Sequence, residues 1–338
     1  MISIATNNAD IGGGEVMLVQ LAKAITAVGR DTQVLAPAGS EVAEAARATG
    51  LPVVALAAGG RREWMMALRR WDRRERRGVL WCNGLVPALA TSGHPNRVVH
   101  LHRLPSSGAQ RVAARIARIR SRATVVPSQF MAQSLGAEVL PNWSRKVDVV
   151  PAARTDDRLR IGFLGRLSPD KGIVELCEAL YRLSTRRGSQ VELVVAGEAR
   201  FVSREDERRI TEALAGLGPS YDPLGWVPPG ELLGQVDLLA VPSQWEEPFG
   251  LVVTEAMSVG VPVVVSDAGA LPEVVGPGHP WVAKRGDVGD LARVLADAAV
   301  SPERRGEVGE AGRRRWAERY SPEAGQKRLA DFLDRHNL

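Results

Sequence analysis

The chain has 338 residues, of which 45% are hydrophobic and 25% are charged, and this composition excludes an intrinsically disordered protein. No run of about 18 apolar residues is present, so no transmembrane helix is expected, and the first residues lack a signal-peptide pattern. Cys82 and Cys177 are too few for a disulfide framework or a cysteine-based zinc site, and a reducing, cytoplasmic compartment is expected.

The formal net charge of +5 is distributed unevenly along the chain. Residues 1–157 carry 21 basic and 12 acidic side chains, a net charge of +9, whereas residues 158–338 have a net charge of −4. This asymmetry indicates that the first half faces an anionic partner. An arginine-rich genome is the alternative explanation, although such a bias should affect both halves.

The first half of the chain alternates short apolar runs with amphipathic patterns. The apolar runs predict strands at Ile2–Ala5, Thr32–Leu35, Val53–Leu56, Val79–Trp81, Val98–Leu101 and Thr124–Val126. Apolar residues at spacings of three and four predict helices at Glu15–Val28 and Glu41–Thr49. Because strands alternate with helices, we expect a parallel sheet with helices on both faces.

The second half repeats this pattern after a charged, proline-bearing segment, Pro141–Asp157, which we interpret as a linker. A helix is predicted at Ile173–Thr185, and the tail from Pro302 to Leu338 is helical and charged. Strands are predicted at Arg160–Leu164, Val191–Ala196, Leu238–Val241 and Val261–Val265. The predicted fold is α/β with two Rossmann-like units, whose ligands should bind beyond the carboxyl ends of the strands.

The segment from Pro242 to Glu255 contains the strongest chemical signal. A helix should begin near Gly250, and its first amides, with the helix dipole, would form a site for a phosphate group. Glu247 in the turn and Glu255 in the helix are suited to accept hydrogen bonds from sugar hydroxyls beside such a phosphate. The alternative is that Glu255 is a surface helix residue and Glu247 an ordinary turn residue.

Two cations follow the predicted strand Arg160–Leu164. Arg166 and Lys171 would lie at the strand end, where fixed positive charges can neutralise a leaving diphosphate. Arginine can contact two oxygens at once, whereas lysine acts as a point charge. Taken alone, both could be solvated surface charges.

Glycines and histidines mark two loops of the first half. Gly12-Gly13-Gly14 follows the first strand and lacks the third glycine of a dinucleotide fingerprint, so it could be only a flexible turn. His100 and His102 are two residues apart and would share one face of a strand. No third ligand is close in sequence, so a metal site is not expected there, and a core or capping histidine is the alternative.

Four segments together resemble the glycosyltransferase family 4 group of retaining glycosyltransferases, which has the GT-B fold. Glu247-Pro-Phe-Gly…Glu255 resembles its Glu-x7-Glu motif, and residues 161–172 resemble its Gly-Arg-Leu…Lys-Gly segment. Residues 261–275 resemble its next strand and loop, and Gly12-Gly-Gly-Glu15 resembles its amino-terminal glycine loop. The match covers most of the chain in order and is most specific over residues 161–275.

The resemblance implies roles for individual residues. Catalytic roles are implied for Arg166, Lys171, Glu247 and His102. Binding of the sugar donor is implied for Glu255, Gly250, Leu251, Val252, Phe249, Gly12, Gly13, Gly165, Trp226 and Val227. The chain departs from the family where Arg103 replaces an acidic residue, Trp143 replaces the glycine of a Pro-Asn-Gly turn, and Ala199 replaces the second glycine of a Gly-acid-Gly turn. The first departure leaves the acceptor contacts open. Ser128 is suited to an N-cap.

The implied domains are an acceptor-side unit at 1–155, a nucleotide-sugar unit at 156–317, and a final helix at 318–338 that crosses back to the first unit. The implied activity is retaining, metal-independent transfer from a nucleotide diphosphate sugar, with UDP favoured, and no cofactor. The acceptor would be a saccharide, a lipid-linked molecule or a natural product. A nucleotide-sugar 2-epimerase of the same architecture and a non-catalytic partner protein are the alternatives.

Two basic stretches of the first half need a separate interpretation. Arg61–Arg77 contains eight arginines, and as a helix it would align Trp64, Leu68 and Trp71 on one face. Arg111, Arg115, Arg118 and Arg122 would also line one helical face. Basic helices with tryptophan can lie on an anionic membrane, as a peripheral protein would, or can pack the tryptophans on their own core. No recognition motif accompanies the charge, so nucleic acid is not expected as a partner.

Overall fold

The computed structural model describes residues 1–151, 158–187, 191–200 and 202–338, with the backbone alone at 185–187. These residues divide into two compact units, Met1–Trp143 with Pro322–Leu338, and Ser144–Ser321. The first boundary lies before the expected 155, because Ser144 N–H donates to the Tyr320 carbonyl and Val147 N–H donates to Ser258 Oγ, both in the second unit. Residues 141–151 of the predicted linker form no helix or strand, and 152–157 lie outside the described residues.

The first unit is built on a seven-stranded parallel sheet in the order β3-β2-β1-β4-β5-β6-β7. Its strands are β1 Ile2–Ala5, β2 Thr32–Pro37, β3 Val53–Leu56, β4 Val79–Asn83, β5 Arg97–His100, β6 Ala123–Val126 and β7 Glu138–Val139. Its helices are α1 Gly13–Ala27, α2 Glu41–Ala48, α3 Arg61–Arg74, α4 Leu85–Ala90, α5 Gly108–Ala117, α6 Gln129–Leu135 and α14 Pro322–Arg335. Ser128 Oγ accepts from Met131 N–H and caps α6, as predicted.

The second unit is built on a six-stranded parallel sheet in the order β10-β9-β8-β11-β12-β13. Its strands are β8 Leu159–Leu164, β9 Val191–Ala196, β10 Tyr221–Gly225, β11 Leu238–Val241, β12 Val263–Ser266 and β13 Val282–Ala283. Its helices are α7 Ile173–Arg187, α8 Arg204–Ala215, α9 Pro229–Leu233, α10 Leu251–Ser258, α11 Leu271–Val275, α12 Val288–Val300 and α13 Pro302–Arg319, with short 3-10 turns at Pro169–Lys171 and Gly218–Ser220. The prediction of two parallel-sheet α/β units is confirmed.

Each sheet is covered by apolar side chains on both faces, as parallel sheets require. In the first unit, one core contains residues of α1, α2 and α14, and the other contains residues of α3 to α6. In the second unit, one core contains residues of α7, α8 and α12, and the other contains residues of α9, α10 and α11. None of the described helices combines the length and the apolar composition that crossing a bilayer requires.

Neither of the two basic stretches forms the exposed basic helix face that could lie on a membrane in the way its spacing suggested. Trp64, Leu68 and Trp71 do share one face of α3, but that face is buried in the core, so these tryptophans do not face a membrane. The predicted row of four arginines is wrong, because α5 ends at Ala117 and the chain turns. Arg118 donates to the carbonyls of residues 135 and 136, and Arg122 donates to the carbonyls of residues 336 and 337.

Trp143, which departs from the family pattern, packs on the last helix of the first unit. Its buried indole covers Gly325 in α14, where an added Cβ would overlap the ring. We therefore expect Gly325→Ala to lower the free energy of unfolding by about 1–3 kcal/mol, the usual cost of overpacking. Gly306 in α13 is the matched control, because a Cβ there meets no atom and Gly306→Ala should stabilise by about 0.5–1 kcal/mol. Denaturant unfolding of both variants measures the contrast, and equal effects would contradict it.

Candidate functional site

Two loops meet at the carboxyl ends of the paired strands β8 and β11. Residues 165–172 follow β8, and residues 242–250 follow β11. Gly172 has φ +75°, and a Cβ there would overlap the carbonyl oxygen of Pro242. Gln244 N–H also donates to the Asp170 carbonyl at 2.8 Å. Glycine at position 172 therefore lets the two loops touch, which brings Lys171 to the Glu247 loop.

Lys171 and Glu247 form an ion pair at this contact. Lys171 Nζ donates to Glu247 Oε1, and Ser243 Oγ donates to the same oxygen at 2.9 Å. Glu247 is only 5% exposed, so these two donors replace the hydrogen bonds that its carboxylate would make to water. Lys171 Nζ also lies 5.2 Å from the centre of the Trp245 ring. The predicted cation and the predicted carboxylate are thus direct partners.

Arg166 is held by a different set of groups. Its Nη2 donates to Asp170 Oδ2 at 2.8 Å, and its Nε lies 3.2 Å from Ser168 Oγ. The Arg166 and Asp170 side chains are each about one third exposed. A partly exposed guanidinium that is already oriented is suited to bind an anion with its remaining N–H groups. Sequence reasoning missed Asp170 and Ser243, although both lie inside the motifs that carried the prediction.

Helix α10 begins where the sequence predicted. Gly250 is its N-cap with φ +93°, and a Cβ there would lie 2.6 Å from Leu271 Cδ2. Leu251 and Val252 are the first two helical residues, so their amides have no partner within the helix, whereas Val253 N–H donates to the Gly250 carbonyl. Phe249 is buried and packs edge-on against Tyr320, 5.5 Å between ring centres. Its side chain thus supports the helix start from the core.

Glu255 lies on the fifth residue of α10 and is mostly buried. Burial raises the pKa of its carboxyl from 4.5 to about 7. Such a group is a functional-site candidate, because structure seldom places an isolated carboxyl in a desolvated position without a ligand. Glu247 and Glu255 therefore differ: Glu247 has a lysine partner, whereas the carboxyl of Glu255 has a pKa that is raised by desolvation.

The remaining predicted donor residues lie at neighbouring strand ends. Gly165 has φ +138° and its N–H donates to the Ala196 carbonyl, while a Cβ on Gly197 would overlap the Gly165 oxygen. Trp226 follows β10 and is 70% exposed, whereas Val227 packs against the core. Sequence reasoning did not single out Gly269, where a Cβ would lie 2.5 Å from Glu247 N, although it lies in the quoted segment 261–275.

The predicted residues of the first unit form a second group. Gly12 is the N-cap of α1, Gly13 is its first residue, and Gly12 N–H donates to Glu15 Oε2 at 3.3 Å. Asn8 Nδ2 donates to the other oxygen of Glu15 at 2.6 Å. Glu15 is buried, and its carboxylate accepts both hydrogen bonds, so it holds the loop in one position. The glycine segment is therefore a held helix start rather than a loose turn.

His100 and His102 lie together, although β5 ends at His100 and His102 is beyond it. Their ring centres are 4.0 Å apart, and Trp81 Nε1 donates to His100 Nδ1 at 3.3 Å. Burial lowers the pKa of His102 from 6.5 to about 4, and burial together with the neighbouring His102 lowers the pKa of His100 well below 6.5. His102 Nε2 lies 2.7 Å from Asn83 Oδ1, a residue the sequence analysis missed. Within the described residues, no three His, Cys, Asp or Glu side chains cluster as metal ligands would.

Comparison with known proteins places these motifs in context. The family described as Glycosyl transferases group 1 matches residues 145–315, and the family described as Glycosyltransferase Family 4 matches residues 11–157. The chain is 31% identical over 188 residues to a lipopolysaccharide 1,2-N-acetylglucosaminetransferase of Salmonella typhimurium, covering 52% of this chain and 48% of that protein. It is 34% identical over 156 residues to the MMP alpha-(1->4)-mannosyltransferase of Mycolicibacterium hassiacum, covering 45% and 37%. The matches thus span about half or less of these curated relatives.

Solved structures resemble the whole chain. The structure of Anabaena HepE in complex with UDP-glucose superposes with a TM-score of 0.84 at 22% identity, covering 99% of each chain. The lipopolysaccharide glycosyltransferase WaaG superposes with a TM-score of 0.72 at 14% identity, covering 98% of this chain and 99% of that one. At these identities the similarity concerns the fold.

Proposed function

The chain belongs to the glycosyl transferases group 1 family and has the GT-B fold, and from this premise we propose that it transfers a sugar from a nucleotide diphosphate sugar to an acceptor hydroxyl. The observation that carries the proposal is the cluster at the ends of β8 and β11. There, Lys171 pairs with buried Glu247 beside the amino terminus of α10, and Arg166 lies in the same loop as Lys171. Cations, helix amides and carboxylates are the groups that a diphosphate and a sugar require.

Each group has a proposed task. Arg166, Lys171 and the amides of Gly250, Leu251 and Val252 would hold the diphosphate and stabilise its charge as it departs. Both described donors to Glu247 reach Oε1, so we assign Oε2 to the hydroxyls of the transferred sugar. Glu255 would accept from the ribose hydroxyls, and exposed Trp226 with Val227 would contact the base. Gly165 allows close approach of the backbone.

We propose that the reaction retains the anomeric configuration and needs no metal. The bond between the anomeric carbon and the diphosphate oxygen breaks as the acceptor oxygen bonds to the same face of that carbon. The acceptor proton passes to a phosphate oxygen of the leaving diphosphate. Two side-chain cations and the helix amides supply the positive field that a metal ion would otherwise provide. For Gly12, Gly13 and His102 of the first unit we propose a role in substrate binding.

UDP is the proposed carrier, because Anabaena HepE binds UDP-glucose with the same fold. Binding and slow hydrolysis of UDP-, GDP- and dTDP-sugars by the purified protein, each with and without EDTA, test the proposal. Turnover of one nucleotide sugar at the same rate with and without EDTA supports the proposed transfer and identifies the sugar. Epimerisation without an acceptor would support the 2-epimerase alternative. Donor binding without turnover, or no binding at all, would favour the non-catalytic partner protein.

We also propose that the acceptor is lipid-linked or anionic and that the outer face of α5 meets an anionic membrane surface. Between Glu75 and Glu138 the sequence has no acidic residue. Val112 and Ile116 lie one turn apart on α5 and are 54% and 44% exposed, and Ile119, in the turn after the helix, is 50% exposed. Exposed Arg111 and Arg115 lie beside them. Exposed apolar side chains flanked by arginines are suited to the interface of an anionic bilayer.

We expect the double substitution Val112→Ser with Ile116→Ser to reduce binding to phosphatidylglycerol vesicles by about tenfold, since two apolar side chains leave the interface. Co-sedimentation at low and high salt measures the binding. Val300→Ser is the matched control, because this valine is 64% exposed on α12 of the second unit. Equal binding by both variants, or equal binding to phosphatidylcholine, would contradict the membrane proposal without affecting donor use.

A further inference from the structure

Asn83 joins three segments of the first unit through one side-chain amide. It is the last residue of β4 and is buried. Its Nδ2 donates to the carbonyl oxygen of Gly14, in the first turn of α1, at 3.4 Å. Its Oδ1 lies 2.7 Å from His102 Nε2, just after β5. The amide therefore connects the glycine segment to His102 across the carboxyl ends of two neighbouring strands.

The chemistry of these partners fixes the position of every proton. A backbone carbonyl only accepts hydrogen bonds, so the Asn83 NH₂ group must face Gly14. The Asn83 oxygen must then face His102, and because that oxygen also only accepts, His102 Nε2 must carry the proton. A neutral His102 thus has its lone pair on Nδ1, an atom that is buried and has no hydrogen-bond partner among the described residues.

The surroundings of His102 keep the ring neutral and in place. The His100 ring lies 4.0 Å away, and no described ion pair involves either imidazole. On the other side, a Cβ at Gly14 would lie 3.6 Å from His102 Cγ, so the ring packs against the start of α1. With Nε2 bonded to Asn83 and Nδ1 buried, neither ring nitrogen is placed to exchange a proton with a ligand.

We propose that Asn83 is a positioning residue that holds His102 as a hydrogen-bond donor and ties it to the glycine segment, so that His102 positions this segment instead of transferring a proton. The proposal rests on the proposed function, since it assigns how the first unit supports sugar transfer. The two hydrogen bonds run in the same direction: His102 donates to Asn83, and Asn83 donates to the Gly14 carbonyl. Loss of Asn83 would release both the imidazole and the start of α1.

Nitrogen-15 NMR of the imidazole groups tests the assignment directly. The chain has five histidines, so single substitutions can assign the His102 signals. At pH 7.5 we expect His102 as the neutral Nε2–H tautomer. Asn83→Leu should lose this preference, whereas Asn83→Asp should keep it and raise the pKa of His102, because a carboxylate accepts the same hydrogen bond with a negative charge. A wild-type Nδ1–H tautomer or an imidazolium at pH 7.5 would overturn the proposal.

Kinetics then separate positioning from proton transfer. Glutamine places its amide nitrogen near the position of Nε2, whereas the shorter asparagine cannot reach Asn83. We expect His102→Asn to lose about tenfold more kcat/KM than His102→Gln, the factor that one lost hydrogen bond gives. Asn83→Leu should lower kcat with little change in donor KM, when assayed well below its unfolding temperature, which should itself fall because the His102 N–H loses its acceptor. Equal losses for the two His102 variants would show that the hydrogen bond to Asn83 does not carry the effect of His102, and would overturn the proposal. Inactivity of the wild-type protein would instead remove the proposed function and leave the NMR result intact.

Discussion

Replacing Lys171 by alanine is expected to reduce kcat by a factor on the order of 10²–10³, the usual cost of removing one group that stabilises developing charge. The variant loses the cation proposed to face the leaving diphosphate. It also leaves the Glu247 carboxylate, which is buried, with Ser243 Oγ as its described side-chain donor. Initial rates with the donor identified by the nucleotide-sugar panel measure the loss. Arg166→Ala is expected to fall in the same range.

Lys327→Ala is the matched control, because Lys327 is exposed on α14. It should leave the rate unchanged. If Lys171→Ala and Arg166→Ala both turn over at the wild-type rate, the assignment of the diphosphate site is wrong.

A double variant separates the two functions of Lys171. If the lysine serves only to neutralise Glu247, then adding Glu247→Gln to Lys171→Ala removes the unpaired charge and restores activity. If the lysine binds the diphosphate, the double variant stays at least as slow as Lys171→Ala. We expect the second result, since Glu247 is itself proposed to hold the sugar. Full recovery in the double variant would confine Lys171 to a structural role.

The fold was largely predictable from the sequence because buried parallel strands leave a strong pattern. The runs at Ile2–Ala5, Val191–Ala196 and Leu238–Val241 were predicted with the boundaries that the structure shows. Each consists of consecutive apolar residues, or nearly so, since helices cover both faces of the sheet. Gly250 marked the start of α10 because only glycine fits there: its backbone conformation and its contact with Leu271 leave no room for a side chain.

Side-chain partners were less predictable, because they depend on residues far apart in sequence. Arg118 was placed in a helical row by its spacing, yet its guanidinium satisfies carbonyls at the end of α6. Asn83 carried no signal, since the predicted strand ended at Trp81, and only the neighbouring strand brings His102 to it. The ion pair of Lys171 with Glu247 likewise spans 76 residues. Local patterns predict elements, whereas the tertiary structure selects such pairs.

The second large effect concerns pH and depends on Glu255. Burial raises the pKa of this carboxyl to about 7, and ribose hydroxyls bind its ionised form as an acceptor. Lowering the pH from 8 to 6 is therefore expected to weaken nucleotide-sugar binding by about tenfold, one factor of ten per pH unit below the pKa. A nucleotide diphosphate sugar stays ionised throughout this range, so the donor itself does not titrate. Glu255→Gln should bind more weakly at pH 8 and show no such dependence.

Titration calorimetry at several pH values measures the effect, and Glu307→Gln, at an exposed position of α13, is the matched control.

The carboxyl of Glu255 gives an independent test through the stability of the fold. Its folded pKa lies above its unfolded value of 4.5, so the folded state binds the proton more tightly, and stability falls as the pH rises from 4.5 through 7. Glu255→Gln should thus unfold at a higher temperature than the wild type at pH 8 and at the same temperature near pH 4. A variant that is more stable but binds donor as the wild type does would place Glu255 outside the donor site, because its desolvation would then cost stability without serving a ligand.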